Sequence, residues 1–143
     1  MKQEYYTHSP EETRALAAKI AAETPNGTVF ALDGNLGAGK TVFASGFAAG
    51  LGITEPVSSP TFTIVQEYSY EKGMFFHLDL YRIDNPEAAL AFGIDEFLYA
   101  ADAVSLVEWP ERIEGLFPPG TIRVIIERTD REETRKITLE KPD

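Results

Sequence analysis

Apolar positions along the chain change period several times, and each change marks a boundary between a helix and a strand. Ser9-Pro10-Glu11-Glu12 forms a capping box with proline at the first helical position, and Thr13, Leu16, Ala17, Ile20 and Ala21 then recur at helical spacing up to a stop at Pro25-Asn26-Gly27. Thr28 to Leu32 is a short run of strand formers leading into Asp33-Gly34. From Lys40 the period is helical again, with Phe43, Ala44, Phe47 and Ala48 on one face, until Gly50-Leu51-Gly52 ends it. Thr61 to Tyr70 and Met74 to Leu80 read as two strands joined at Glu71-Lys72-Gly73, a hairpin. Asn85-Pro86-Glu87 opens a short helix reaching Phe92, Ala103 to Val107 is a buried strand, and Thr121 to Glu127 pairs with Arg135 to Leu139 around the charged turn Thr129 to Glu133. Strands alternating with helices predict an α/β fold. Phe92-Gly93-Ile94 and Phe97-Leu98-Tyr99 mix apolar groups with acids and read either as core or as interface, core being the favoured reading.

Composition narrows this picture. A length of 143 residues suits a single domain, residues 1–143, with one packed core and one site. There are no cysteines, so neither a disulfide framework nor a thiolate metal site is available. The polar, acidic start MKQEYYTHSPEET lacks the apolar run of a signal peptide, and the apolar runs elsewhere fall short of a membrane span. A cytoplasmic protein with no membrane partner is the expectation. Lys and Arg number 13 against 23 Asp and Glu, a net charge of -10, which disfavours unaided binding to nucleic acid.

Between the first strand and the second helix stands Gly34-x-x-x-x-Gly39-Lys40-Thr41, the phosphate-binding loop pattern. Glycines let successive backbone N–H groups curl around a phosphate, and the helix behind them points its positive end at it. Lys40 neutralises the β and γ oxygens, and Thr41 offers its hydroxyl to Mg²⁺. The pattern predicts a P-loop NTPase-like three-layer sandwich with a central mixed, mostly parallel sheet and an antiparallel hairpin insertion. Asn35, Leu36, Gly37, Ala38, Gly39, Lys40, Thr41 and Val42 are the nucleotide-binding candidates. Magnesium also requires an acid at a strand end beside the loop. Two places fit, Asp79 after Met74-Phe75-Phe76-His77-Leu78 and Glu108 after Val104-Ser105-Leu106-Val107; each would otherwise pair with Arg82 or Arg112. Thr61 and Thr63 read as switch-loop hydroxyls or simply as strand formers, and His77 reads as a satisfied strand residue. No Asn/Thr-Lys-x-Asp guanine signature is present, Glu140-Lys141-Pro142-Asp143 having the wrong first residue, which favours ATP over GTP. Nor is there an arginine-rich lid of the kind that closes over an acceptor, leaving water or a partner-bound group to receive the γ-phosphate.

The loop and four further blocks share one order and spacing with a known family. Gly34-Asn35-Leu36-Gly37-Ala38-Gly39-Lys40-Thr41, Ser59-Pro60-Thr61-Phe62-Thr63, His77-Leu78-Asp79-Leu80-Tyr81-Arg82, Gly93-Ile94-Asp95-Glu96 and Leu106-Val107-Glu108-Trp109-Pro110-Glu111-Arg112 resemble the TsaE (YjeE) family over nearly the whole chain. The resemblance implies a bacterial cytoplasmic ATPase required for the threonylcarbamoyladenosine (t6A) modification of tRNA. It would dock on a TsaB–TsaD heterodimer and meet tRNA only through that complex, with ATP and Mg²⁺ as its cofactors. By the same resemblance Lys40 is catalytic at the phosphates, Thr41 and Glu108 hold the metal, Asp79 serves hydrolysis and Thr61 belongs to a switch-like loop. Trp109 lies in the family's Glu-Trp pair. The adenine end is placed near Ser9 to Thr13 and Arg131 to Arg135, making Ser9 and Arg131 candidates. Two departures stand out. Val42 replaces a second threonine, so an α-phosphate contact must come from backbone N–H, and Asn35 replaces a common aspartate, removing a negative charge beside the phosphates.

Two other readings of the sequence remain. In one, ATP occupancy rather than hydrolysis controls assembly of the complex; in the other, less favoured, the chain is a small-metabolite kinase.

Overall fold

In the computed structural model, which describes residues 1–34, 39–55 and 64–142, the elements follow in the order β1 (Lys2–Thr7), α1 (Pro10–Ala22), β2 (Val29–Gly34), α2 (Lys40–Gly50), β3 (Val65–Tyr70), β4 (Gly73–Asp79), α3 (Pro86–Phe92), α4 (Ile94–Leu98), β5 (Ala103–Glu108), β6 (Ile122–Arg128) and β7 (Arg135–Glu140), with a 3-10 turn at Pro110–Ile113. The strands form one seven-stranded sheet in the order β1-β7-β6-β2-β5-β4-β3. Its inner four strands, β6, β2, β5 and β4, run parallel, and antiparallel pairs complete both flanks. β5 is buried at every position, as expected of a parallel strand covered on both faces.

Alternation along the strands divides their side chains between two cores. On one face Phe30, Leu32, Phe75, Val104, Leu106, Val124 and Ile126 pack beneath Ala17 and Ala21 of α1 and Phe43 and Phe47 of α2. On the other, Val29, Phe76, Leu78 and Val107 meet Ala89, Ile94, Leu98 and Ile113 from α3, α4 and the 3-10 turn. The result is a three-layer α/β sandwich with the sheet in the middle. Leu90, Phe92 and Tyr99 stay exposed while Ile94 and Leu98 are fully covered, so the apolar stretch around Gly93 divides between surface and core.

Local chemistry sets the helix ends as the sequence predicts. Ser9 caps α1, its Oγ accepting from Glu12 N at 3.1 Å, while the Glu12 carboxylate accepts from His8 N at 3.0 Å. α1 and α2 approach backbone to backbone: a Cβ at Gly46 would run into the carbonyl oxygen of Arg14, and one at Gly50 into that of Ala18. Two elements go beyond the periodicity. β1 adds an edge strand to β7, and α4 follows α3 after Gly93, whose φ of 92° ends one helix and starts the next. The strand expected over Thr61 to Tyr70 is described from Val65 onward; Thr61 and Thr63 lie outside the described residues.

Candidate functional site

The carboxyl ends of β2, β5 and β4 lie side by side, and α2 begins above them. Leu32 is in register with Glu108, and Glu108 with Asp79. The two candidate acids therefore stand on neighbouring strands at the same level of the sheet, the edge where open α/β sheets bind ligands. Alternation from Leu106 and Val104 puts Glu108 on the face covered by α1 and α2. Asp79, two residues after His77 and four after Phe75, shares that face.

α2 starts at Lys40 behind Gly39, whose φ of 109° is a conformation open to glycine and strained for other residues. Its N-cap residue Gly39 has no side chain to cap it and no acid lies in its first turn, so among the described residues of that turn no side-chain charge offsets the partial positive charge of the amino-terminal N–H groups. Lys40 and Thr41 stand on that first turn. Asn35, Leu36, Gly37 and Ala38 fall outside the described residues, as does Thr61; the first four lie in sequence between Gly34, which ends β2, and Gly39, which precedes α2.

The side chains near Lys40 are engaged in specific ways. Its ammonium Nζ lies 4.6 Å from the centroid of the Trp109 ring. Trp109 packs against Tyr81 with ring centroids 5.0 Å apart, and the Arg112 guanidinium lies 5.7 Å from the Trp109 ring and 6.0 Å from that of Tyr81. Glu108 is buried and bonded to His77, Nε2 to Oε2 at 2.6 Å. Asp79 is half-buried, and its Oδ1 accepts from Tyr81 N at 3.1 Å. A carboxylate sunk in the sheet edge next to a half-solvated one is a donor set suited to magnesium, which takes one or two protein carboxylates and completes its shell with water and phosphate oxygens. Among the described residues no group of three or more histidines, cysteines and acids is placed to hold a metal ion by itself.

Beside the first turn of α2 a cavity of about 300 Å³ opens, lined by Ser9, Pro10, Thr13, Gly39, Val42, Glu132, Glu133 and Arg135. It joins the start of α1, the start of α2 and the β6–β7 turn. Ser9 and Val42 are thus brought together with Gly39. Arg131 sits in the same turn, its N–H donating to Thr129 Oγ1 at 3.1 Å, but Arg135 is the basic residue on the cavity wall.

The sequence reading missed the link between His77 and Glu108 and the place of Tyr81 against Trp109. The signal for the first lay in parity, both residues falling on the same face of adjacent strands, but it becomes visible only once β4 and β5 are paired.

A profile of the family described as "Threonylcarbamoyl adenosine biosynthesis protein TsaE" matches residues 7–137. The chain belongs to the TsaE family. It is 45% identical to the tRNA threonylcarbamoyladenosine biosynthesis protein TsaE of Bacillus subtilis over 140 residues, covering 97% of this chain and 86% of that protein. It is 38% identical to the protein of the same name from Aquifex aeolicus, covering 95% and 94%. Its fold superposes on the crystal structure of Bacillus subtilis YdiB with a TM-score of 0.83 at 39% identity, over 97% of this chain and 84% of that one. The TsaE family match and the mixed seven-stranded sheet agree with a P-loop NTPase-like architecture. Among the described residues no helix is long and apolar enough to cross a membrane.

Proposed function

We propose that this member of the TsaE family is a cytoplasmic P-loop ATPase that binds and hydrolyses Mg-ATP while docked on a TsaB–TsaD heterodimer, in support of t6A formation in tRNA. The observation that carries the reading is the alignment of Asp79 and Glu108 at one level of the sheet edge, beside the start of α2 with its Lys40 and Thr41.

The roles follow from chemistry. The N–H groups of the first turn of α2 and the Lys40 ammonium neutralise the β and γ oxygens. The Thr41 hydroxyl and the Glu108 carboxylate would hold magnesium, which would supply positive charge against the negative charge that develops on the phosphate oxygens. Asp79, the more solvated acid, orients a water in line with the γ-phosphorus. As the water oxygen bonds to phosphorus, the bond to the β–γ bridging oxygen breaks, giving ADP and phosphate, and the water's proton passes to Asp79 and then to solvent. The cavity between Ser9, Val42 and Arg135 is the place for the adenine end, with a volume in the range of small-molecule sites.

ATP turnover measured with and without TsaB–TsaD tests this reading. Slow hydrolysis by the chain alone, accelerated by the heterodimer and abolished by Lys40→Ala, is expected. An unchanged rate on adding the heterodimer overturns the partner-activated reading, and wild-type turnover in Lys40→Ala overturns the assignment of the site.

A further inference from the structure

His77 occupies an unusual position for a core histidine. Its Nε2 lies 2.6 Å from Glu108 Oε2, with the two side chains 1% and 6% exposed. Its ring lies nearly parallel to that of Phe75, at 9° and 6.3 Å between centroids, which fixes the plane of the imidazole. Its Nδ1 is buried and has no hydrogen-bond partner among the described residues. A histidine kept only for packing satisfies both ring nitrogens or gives way to an apolar residue, because an unpartnered buried nitrogen is costly. Here the ring gives up one bond and commits the other nitrogen to a carboxylate. With the carboxylate ionised, as metal ligation requires, it can only accept, which makes Nε2–H the donor.

We propose that His77 is a positioning residue for Glu108: its Nε2–H holds one carboxylate oxygen so that the acid meets magnesium in a single fixed orientation. The inference rests on the Mg-ATP reading of the site. Phe75 below the ring and the β4–β5 register above it leave the imidazole little freedom, so the orientation passes from the sheet to the carboxylate. Partners of this kind, which touch a metal ligand and not the metal, typically change metal affinity by about 10- to 100-fold when removed.

The test follows magnesium rather than turnover. Binding of a fluorescent ADP analogue is titrated without metal and then with increasing Mg²⁺. His77→Phe keeps a ring over Phe75 and removes the donor. It is expected to leave metal-free binding at the wild-type level and to raise the half-saturating Mg²⁺ concentration by about tenfold or more. His77→Gln, which retains an N–H, is expected to recover most of that loss. Wild-type magnesium dependence in His77→Phe, or a His77→Gln protein as impaired as His77→Phe, overturns the proposal. The unsubstituted protein offers a second measurement, since the chain has only 2 histidines. In the ADP-loaded state ¹⁵N spectra are expected to show His77 protonated on Nε2, with that resonance moving on addition of Mg²⁺. A resonance that stays still while Mg²⁺ tightens nucleotide binding overturns the proposal without any substitution. A wild-type protein with no magnesium response, or a Glu108→Gln protein that responds normally, instead overturns the metal reading itself and the role of His77 with it.

Discussion

Trp109 holds backbone angles of φ 60° and ψ 50°, the one positive φ among the described non-glycine residues. A bulky side chain in that region costs about 1–2 kcal/mol, and such strain gathers at functional sites. What the conformation achieves is visible around it: β5 ends, Pro110 begins the 3-10 turn, and the indole is laid beneath the Lys40 ammonium and against Tyr81. Lys40 thus rests on an aromatic face, and drawing it to phosphate oxygens must break that contact. Trp109 is the single tryptophan of the chain, so its emission reports the event. Nucleotide binding is expected to change Trp109 fluorescence in the wild type, with a much smaller change in Lys40→Met under conditions where nucleotide still saturates. An equal change in both proteins would mean that the indole responds to something other than Lys40. At this scale the sequence was most readable where the pattern is contiguous: the eight-residue pattern implies a helix starting at Lys40 and Thr41, and α2 starts there. It was least readable where a contact depends on register. His77 and Glu108 are 31 residues apart and meet only because β4 and β5 pair in one alignment, which no local spacing encodes.

The helix pair over the site is held at unusually short range. Gly46 and Gly50, one turn apart on α2, face the backbone of Arg14 and Ala18 on α1, so the two axes approach as closely as their main chains allow. That approach sets the distance between the amino end of α2 and the start of α1, the two elements that flank the 300 Å³ cavity. Gly46→Ala brings the better helix former, a gain of about 1 kcal/mol, but forces the helices apart at an overpacking cost of about 1–3 kcal/mol. A net loss of up to about 2 kcal/mol in urea unfolding, with weakened nucleotide binding, is the expected outcome. A variant as stable as the wild type would show that α1 yields without penalty. Elements of strong amphipathic or fully apolar pattern, α1, α2, β2, β4 and β5, were legible because burial on one or both faces dictates their residues. β1 was not, for a physical reason. Lys2-Gln3-Glu4-Tyr5-Tyr6-Thr7 is an edge strand exposed at most positions, and cross-strand pairs such as Lys2 with Glu140 at 3.5 Å and Glu4 with Lys136 at 3.7 Å help seat it, where a buried face would have left an apolar pattern. α4 escaped similarly, because five residues span little more than a turn and its start depends on the left-handed Gly93.

At the scale of the whole molecule the balance of charge decides how a tRNA-directed function can work. The net charge of -10 opposes a polyanion, and several cations are already engaged within the chain: Arg123 with Asp33 at 2.9 Å, Lys2 with Glu140, Lys136 with Glu4, and Lys40 and Arg112 with the Trp109 ring. Non-specific nucleic-acid binding at physiological salt, typically with Kd of about 10⁻⁴ to 10⁻⁶ M, draws almost wholly on Lys and Arg at phosphates, and here repulsion between the acidic chain and the phosphates works against it. The chain alone is therefore expected to leave tRNA unshifted in a native gel at tens of micromolar protein and near-physiological salt. With TsaB–TsaD and ATP present it is expected to migrate with the tRNA-containing complex. The salt dependence of that complex should be set by the partners, so charge reversal at Arg123 should leave the slope unchanged. Micromolar tRNA binding by the isolated chain, falling steeply with salt, would instead place a direct RNA contact on this protein. In that case the exposed Tyr81 with Trp109 and Arg112, the described site where aromatic rings and a guanidinium are gathered, is where a base would stack, and Tyr81→Ala would be the variant to weaken it.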